Sequence, residues 1–172
     1  MIQLDIARLL ARDAGLLLSG AQKANAEQNY AKEAEFCIQA IILFQSAIEA
    51  IINEELLIHP LLEPVRKEDH ELHKRFKSLS FKNKWKKVYD TLHITETEYL
   101  ENYLRFYSTY RVPITHPKSR YVNVEKYTFR HTLDAFENGW YAVQLLYAIL
   151  GKELTSWEEF CSSVGIHINE LN

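Results

Sequence analysis

Cysteine, glycine and proline are scarce in this sequence, which has two Cys, five Gly and four Pro among 172 residues. The two cysteines, Cys37 and Cys161, lie far apart without a C-x-x-C spacing. This excludes a disulfide framework and is typical of reduced thiols in a cytosolic protein. Five scattered glycines exclude a phosphate-binding glycine loop, a dinucleotide fingerprint and a nucleophile elbow. The common nucleotide-binding and hydrolase motifs are therefore absent.

Positive charge is not in excess either, because 20 Lys and Arg stand against 23 Asp and Glu for a net charge of −3. This balance excludes a histone-like polycation, so binding to nucleic acid would need a local basic surface. The N-terminus places Asp5 before the first basic residue, Arg8, which is unlike a signal peptide. No apolar run approaches about 18 residues. We therefore expect a cytoplasmic protein without a membrane-spanning segment.

Helical periodicity runs through almost the whole sequence. The gaps between periodic segments are short and the composition does not shift, which predicts a single domain over residues 1–172. The predicted fold class is all-α, an antiparallel bundle of about five to seven helices. The one strand-like run, 121–124, is too short to found a sheet. The predicted helices span roughly 2–18, 27–57, 67–78, 81–92, 95–110 and 124–150, and a short C-terminal helix spans roughly 155–163. The first helix is expected to end near Gly20, and the last to begin with the capping pair Thr155–Glu158.

Two of these helices carry a continuous apolar seam. In the second helix the seam consists of Phe36, Ala40, Phe44, Ala47, Ile48 and Ile51. In the last long helix it consists of Phe129, Leu133, Phe136, Trp140, Val143, Tyr147 and Leu150. Such spacing predicts the core of a bundle or a contact between subunits.

The segment from Tyr110 to Pro117 carries the most reactive combination of side chains. Arg111 is a permanent cation, and His116 can exchange a proton near neutral pH. Pro113 and Pro117 disfavour helical geometry at the residues before them, which predicts an irregular connection between two helices. In an extended chain the two side chains would lie up to about 17 Å apart. They would therefore meet only through a turn or across two subunits.

If Arg111 and His116 converge, the chemistry that suits them is cleavage of RNA by transesterification. An unprotonated imidazole takes the proton of a 2′-hydroxyl, and the guanidinium stabilises charge that develops on the phosphorane oxygens. This reaction requires no metal, and the sequence predicts no cofactor. The alternative is structural, with Arg111 capping the carbonyl end of the preceding helix and His116 packing against its neighbours.

An arginine followed after four residues by a histidine, between two long helices of an all-α chain, resembles the HEPN domain superfamily. Residues 44–55 and the run Ile114-Thr115-His116-Pro117 are also similar to that family, and the resemblance covers roughly residues 25–150. It implies a helical bundle that forms a homodimer in which two Arg–His loops line one cleft. It further implies a metal-independent endoribonuclease of a toxin–antitoxin, phage-defence or RNA-processing system, with Arg111 and His116 as catalytic residues.

Val112 distinguishes this chain from the family pattern, in which a polar residue, commonly Asn, Asp or His, follows the arginine. This difference favours a second interpretation, a non-catalytic helical module that dimerises or pairs with an antitoxin or a nucleotidyltransferase-type protein. Another Arg–His match, Arg66 and His73, ranks lower because His73 falls inside a predicted helix. Asp69, His70 and His73 supply too few ligands for a structural zinc site, so no metal is expected.

Three further residues are predicted to support the Arg–His pair. Glu49 is placed nearest, because it is one of three polar residues that step by four along an otherwise apolar helix, and its carboxylate could hold Arg111. The alternative is that this polar stripe faces solvent. Thr115 and Tyr110 adjoin the pair in sequence.

Tyr110 also ends a stripe of four tyrosines. Its expected roles are, in order of preference, a dimer interface, packing within the bundle and stacking on bases. The stripe consists of Tyr99, Tyr103, Tyr107 and Tyr110.

The stretch 74–89 is strongly basic, with seven Lys or Arg, no Asp or Glu and four aromatic residues. Its cations could neutralise phosphates and its exposed rings could stack on unpaired bases, which predicts a surface that faces RNA. The alternative for the aromatic residues Phe76, Phe81, Trp85 and Tyr89 is that they anchor two amphipathic helices in the core. The predicted RNA-binding residues are Lys74, Arg75, Lys77, Lys82, Lys84, Lys86 and Lys87.

Overall fold

The structure is a computed structural model that describes residues 4–58, 78–116 and 121–168. These residues form helices and turns without a strand, so the all-α prediction is confirmed. The predicted helix over 67–78 falls almost entirely outside the described residues. In chain order the structure has α1 Ile6–Ala26, α2 Tyr30–Ile58, α3 Phe81–Thr91, α4 Glu98–Phe106, a π-helix Tyr107–Arg111, α5 Val112–Thr115, a 3-10 helix Val124–Lys126, α6 Phe129–Ile149 and α7 Trp157–Val164.

The helices α1 and α2 form the largest contact in the bundle. α1 begins after Asp5, whose carboxylate accepts a hydrogen bond from the backbone N–H of Arg8 at 2.9 Å, the usual N-cap arrangement. The predicted end near Gly20 is wrong, because α1 continues to Ala26. A Cβ at Gly20 would lie 3.3 Å from ring atoms of Phe36 on α2. This glycine therefore allows two helices to approach closely rather than ending one of them.

α2 is the core helix of the bundle and contacts α1, α3 and α6. Phe44 stacks on Phe136 of α6 with ring centroids 4.0 Å apart and ring planes at 10°. By length and composition alone, the stretch Tyr30–Glu55 could cross a membrane. No other helix in the described residues meets this criterion, and the sequence predicted no such stretch. Its buried apolar residues are Ala34, Cys37, Ala40, Ile41, Phe44, Ala47, Ile48 and Ile52.

α6 faces α2 across the core. Gly139 marks the place where α2, α4 and α6 come closest, because a Cβ there would lie 2.9 Å from ring atoms of both Phe44 and Tyr103. The predicted apolar seam of this helix is confirmed as core over most of its length. Phe129, Leu133, Phe136, Trp140 and Val143 are buried, whereas Tyr147 and Leu150 are half-buried.

α7 packs against α1 and α6. The predicted capping pair Thr155–Glu158 is wrong by one residue, because Ser156 caps the helix and Glu159 completes the capping box. Trp157 and Phe160, in the first turn of the helix, both pack on Trp140 of α6. Phe160 stacks on Trp140 with ring centroids 4.3 Å apart and ring planes at 28°.

A buried carboxylate joins the start of α2 to the start of α6. Glu33 is 2% exposed, and its Oε1 accepts a hydrogen bond from the backbone N–H of Phe129 at 2.6 Å. The first N–H groups of a helix have no partner within the helix and carry its positive dipole end, so a carboxylate is favourable there. Glu33 therefore fixes both the position and the direction of α6.

Replacing Glu33 by Ala is expected to lower the free energy of unfolding by about 2–3 kcal/mol, because it removes a charge-assisted hydrogen bond and leaves the N–H of Phe129 unpaired. Glu33→Gln keeps an acceptor and should cost roughly half as much. Urea unfolding measures both. The control is Glu35→Ala, since Glu35 is exposed and pairs with Lys32 at 2.9 Å; its effect should stay within about 0.5 kcal/mol. Equal effects at 33 and 35 would contradict the buried cap.

The two cysteines are free thiols, as predicted, and both are buried. Burial raises the pKa of Cys37 and of Cys161 from 9.0 to about 12. The folded chain therefore keeps two protons that the unfolded chain releases from about pH 9 upward.

Two measurements check this difference in proton binding. A thiol reagent at about pH 8.5 should label the native chain far more slowly than the urea-unfolded chain, because the thiolate is the reactive form. The free energy of unfolding should fall as the pH rises from 9.0 to about 12, the window set by the unfolded and folded values. Replacing both cysteines by Ala should remove the part of this decline that begins at pH 9.0, whereas Tyr141 and Tyr147, whose pKa rises from 10.0 to about 12, keep the part above pH 10. Rapid labelling of both native thiols would contradict the structure.

Candidate functional site

The chain from Glu98 to Thr115 is continuously helical, because α4, the π-helix and α5 follow one another without a break. The predicted irregular connection is therefore wrong as far as Thr115. Val112 has helical φ and ψ of −59° and −45° although it precedes Pro113. Its N–H bonds to the carbonyl of Tyr107, five residues back. This wider turn relieves the collision that the proline ring would make with the preceding turn of an α-helix.

Arg111 is held by neutral groups alone among the described residues. Its Nη1 donates to the Oγ1 of Thr115 at 2.8 Å, and its guanidinium lies over the ring of Tyr107, 5.7 Å from the ring centroid. Its Nε is buried and has no hydrogen-bond partner in the described part of the chain. Arginine is always charged and carries five N–H donors, and the described residues accept from only one nitrogen of this half-buried cation, Nη1.

His116 is the first residue beyond α5, with φ −126° and ψ 63°, as the prediction for a residue before proline requires. It is exposed, and its N–H still bonds to the carbonyl of Val112 at 2.9 Å. A step of five residues on a helix places Arg111 and His116 about 140° apart. The structure gives no contact between the two side chains within the described ranges.

The structure pairs Glu49 with Lys84 of α3 rather than with Arg111. The Lys84 Nζ and the Glu49 Oε1 lie 3.4 Å apart, and the lysine is 6% exposed. A nearly buried ammonium needs a counter-charge more than a half-buried guanidinium does, which explains why Glu49 pairs with Lys84 and not with Arg111. The carboxylate of Glu49 therefore does not hold Arg111 as predicted. The hydroxyl of Thr115, which was also predicted to support the Arg–His pair, does so instead.

The tyrosine stripe packs within the chain, the second of its expected roles. Tyr103 is buried, and its hydroxyl donates to the Oε1 of Gln45 at 2.7 Å. Burial raises the pKa of Tyr103, and the charge of Arg111 acts in the opposite direction. The other rings have partners too. Tyr99 packs on Tyr141 at 5.1 Å, Tyr107 on Phe81 at 4.8 Å, and Tyr110 on Phe106 at 4.6 Å between ring centroids.

α3 presents only part of the predicted basic surface. Lys82, Lys86 and Lys87 are exposed, whereas Lys84 is buried against Glu49 and must be removed from the set of RNA-facing residues. Lys74, Arg75 and Lys77 lie outside the described residues, as does Phe76. The anchoring alternative is confirmed for three aromatic residues, because Phe81, Trp85 and Tyr89 are buried in the core.

The contact between Tyr107 and Arg111 was not predicted from the sequence. An i, i+4 spacing brings two side chains together on a helix, but this spacing was not expected to apply at Arg111 because Pro113 predicted a break in the helix.

Residues 4–58, 78–116 and 121–168 contain no group of three or more His, Cys, Asp or Glu that could hold a metal ion. Arg66, Asp69, His70 and His73 lie outside these ranges.

The Glu49–Lys84 pair should show the behaviour of a partly buried ion pair. Glu49→Ala leaves the ammonium without its counter-charge and is expected to destabilise by about 1–3 kcal/mol, whereas Lys84→Met keeps the apolar stem and should cost less. The double variant should recover much of the Glu49→Ala loss in urea unfolding. Asp134→Asn, in an exposed pair with Arg130 at 4.0 Å, is the control and should stay within about 0.5 kcal/mol. A Glu49→Ala effect no larger than the control would contradict the pairing.

Comparison with known proteins gives no relative: no family model, no curated protein and no solved structure matches this chain. The HEPN resemblance of the Arg111–His116 segment therefore stays a prediction.

Proposed function

We propose that this chain is a HEPN-like RNA-binding protein that cleaves RNA without a metal, through attack of a 2′-hydroxyl on the adjacent phosphodiester. The observation that carries the proposal is the state of Arg111. Its guanidinium is half-buried, has no carboxylate partner among the described residues, and keeps Nε unpaired. A charge that is partly withdrawn from water gains stability from a counter-ion, and the described residues supply none here. Phosphate is an anion to which arginine forms strong, charge-assisted hydrogen bonds.

Arg111 and His116 take separate parts in this reaction. The unprotonated imidazole of His116 removes the 2′-hydroxyl proton while the 2′-oxygen forms a bond to phosphorus. Arg111 donates to the non-bridging oxygens as negative charge accumulates on them. The bond from phosphorus to the 5′-oxygen breaks, and that oxygen takes a proton from an imidazolium or from water. The products are a 2′,3′-cyclic phosphate and a 5′-hydroxyl.

The proposed site takes its two residues from two copies of the chain. Helical geometry as far as Thr115 sets Arg111 and His116, which lies just beyond the helix, about 140° apart around its axis, so we do not expect one protomer to direct both at the same phosphate. A two-fold symmetric dimer brings the same surface of each copy together. In such a dimer the exposed His116 of one copy can face the Arg111 of the other.

α3 supplies the RNA-binding surface of the proposal. Lys82 and Lys86 are exposed and lie one turn apart. Phe81 at the start of the same helix packs on Tyr107, which in turn lies under Arg111, so this end of α3 adjoins the proposed phosphate site. Exposed lysines attract the RNA backbone over a distance and neutralise its phosphates. The cytoplasmic toxin–antitoxin, defence or RNA-processing setting that the resemblance implies belongs to the same proposal.

A second candidate function is that of a non-catalytic interaction module. Its support is an exposed apolar stripe on α1, where Ile6, Leu9 and Leu16 are 51%, 36% and 47% exposed at helical spacing. Val112, in place of a polar residue, favours the same function. The partner would be an antitoxin or a nucleotidyltransferase-type protein, and RNA cleavage would be absent.

Ribonuclease assays on a mixed-sequence RNA test the catalytic proposal. The wild type should cut in the presence of EDTA and leave 2′,3′-cyclic phosphate ends, and a 2′-O-methyl RNA should resist. Arg111→Ala and His116→Ala should each lower the rate by at least about 100-fold, the usual contribution of an acid–base or charge-stabilising group. Arg105→Ala and His93→Ala are matched controls, since both residues are exposed outside the proposed site. An inactive wild type, or activity retained in both site variants, would leave the interaction module as the function.

Mixing the two inactive variants tests the shared site. After exchange of subunits, half of the dimers would be mixed, and each mixed dimer would hold one intact pair of Arg111 and His116. About a quarter of the wild-type site number should therefore return. If both residues of a site came from one copy, mixing would restore no activity.

A further inference from the structure

We infer that Tyr107 and Thr115 are positioning residues that fix the orientation of the Arg111 guanidinium for binding of the anion. The inference rests on the proposed binding of RNA phosphate by Arg111. The three residues stand four apart, at 107, 111 and 115, on the continuous helical segment that includes the π-helix and α5. They form a ladder on one side of that segment, with the arginine as its middle member.

Each neighbour restricts a different motion of the guanidinium. The ring of Tyr107 lies 5.7 Å from the guanidinium carbon, so the charged plane is held over an aromatic face. The hydroxyl of Thr115 accepts from Nη1 at 2.8 Å, which opposes rotation about the side chain's long axis. The hydroxyl of Thr115 is itself turned toward the carbonyls of Arg111 and Val112, both 3.3 Å away, so it does not swing freely.

The hydrogen bond to Thr115 also decides which donors remain. A guanidinium offers bidentate contacts through its end, Nη1 with Nη2, or through its side, Nε with Nη2. Thr115 occupies Nη1, whereas Nε has no partner among the described residues. Since Nε is also closed to solvent, Nη2 is the donor that remains for a phosphate. Lysine has no guanidinium plane that Tyr107 and Thr115 could hold, so charge alone does not reproduce this arrangement.

Tyr107 is supported from the other helix of the site. Phe81 of α3 packs on its ring with centroids 4.8 Å apart and ring planes at 39°. The aromatic ring is thus held between a core residue and the guanidinium. Because Phe81 itself is 5% exposed, the orientation of Arg111 is tied to the core rather than to a flexible surface group.

The test measures binding of a short single-stranded 2′-O-methyl RNA, which cannot be cleaved, by fluorescence anisotropy at one fixed salt concentration. Thr115→Val should weaken binding by about 3–10-fold because it removes the hydroxyl, and Thr115→Ser should restore affinity to within about twofold. Tyr107→Leu should weaken binding by about 2–5-fold, and Tyr107→Phe should bind like the wild type, because the ring and not its hydroxyl faces the guanidinium. Arg111→Lys should bind almost as poorly as Arg111→Ala.

Two control variants remove the same groups elsewhere. Thr109→Val deletes a hydroxyl that bonds to the carbonyl of Arg105, and Tyr141→Leu deletes a half-buried ring on α6. Both should keep wild-type affinity, and thermal unfolding should show comparable stability for controls and test variants. Weak binding by Arg111→Ala together with normal binding by Thr115→Val and Tyr107→Leu would overturn the positioning roles alone. Normal binding by Arg111→Ala would overturn the phosphate contact of the proposed function.

Discussion

The burial of α2 is the constraint on which the rest of the bundle depends. A helix with neighbours on several sides is most stable when the polar side chains that it buries find partners, and those of α2 do so except at the Nε2 of Gln45, which has none in the described part of the chain. Glu33 binds the first N–H of α6, Gln45 accepts from Tyr103 of α4, Glu49 pairs with Lys84 of α3, and Glu55 pairs with Lys152 after α6. Each of these polar groups meets a different part of the chain. The apolar residues between them supply most of the stabilisation, and the polar ones determine which helix lies where.

The proposed site follows from how these pairs are distributed. Lys84 pairs with Glu49, and among the described residues Arg111 is left with a hydroxyl and an aromatic ring. The Tyr103 hydrogen bond to Gln45 fixes α4 against the core immediately before the π-helix begins. An arginine without an acidic partner would be a cost in an ordinary packing position. It is suited to an anion that arrives from outside the chain.

The long helices could be predicted from the sequence because their apolar periodicity is strong. α2 and α6 begin and end within a few residues of the expected bounds. Local signals were less decisive. Gly20 was expected to end α1, but its small size serves the contact with Phe36, and the capping residue of α7 is Ser156 rather than Thr155. Such cases depend on what lies across the interface, which neighbouring residues in sequence do not reveal.

The candidate site could be located but not assembled from sequence. The positions of Arg111, Thr115 and His116 along the chain were sufficient to single out the segment. The pairing of Glu49 could not be predicted, because it depends on how deeply Lys84 is buried once α3 packs on α2. The helical course through Pro113 could not be predicted either, since a proline indicates a break unless the preceding turn is widened.

That widened turn divides one helix into two parts that differ in rotational phase. The residues up to Phe106 are oriented by the packing of Leu100 and Tyr103 in the core. The residues from Val112 onward follow the π-helix, whose wider turn offsets them from the first part. The side chains near His116 therefore face directions that an uninterrupted α-helix would not give them, although they belong to the same helical segment as the core residues of α4.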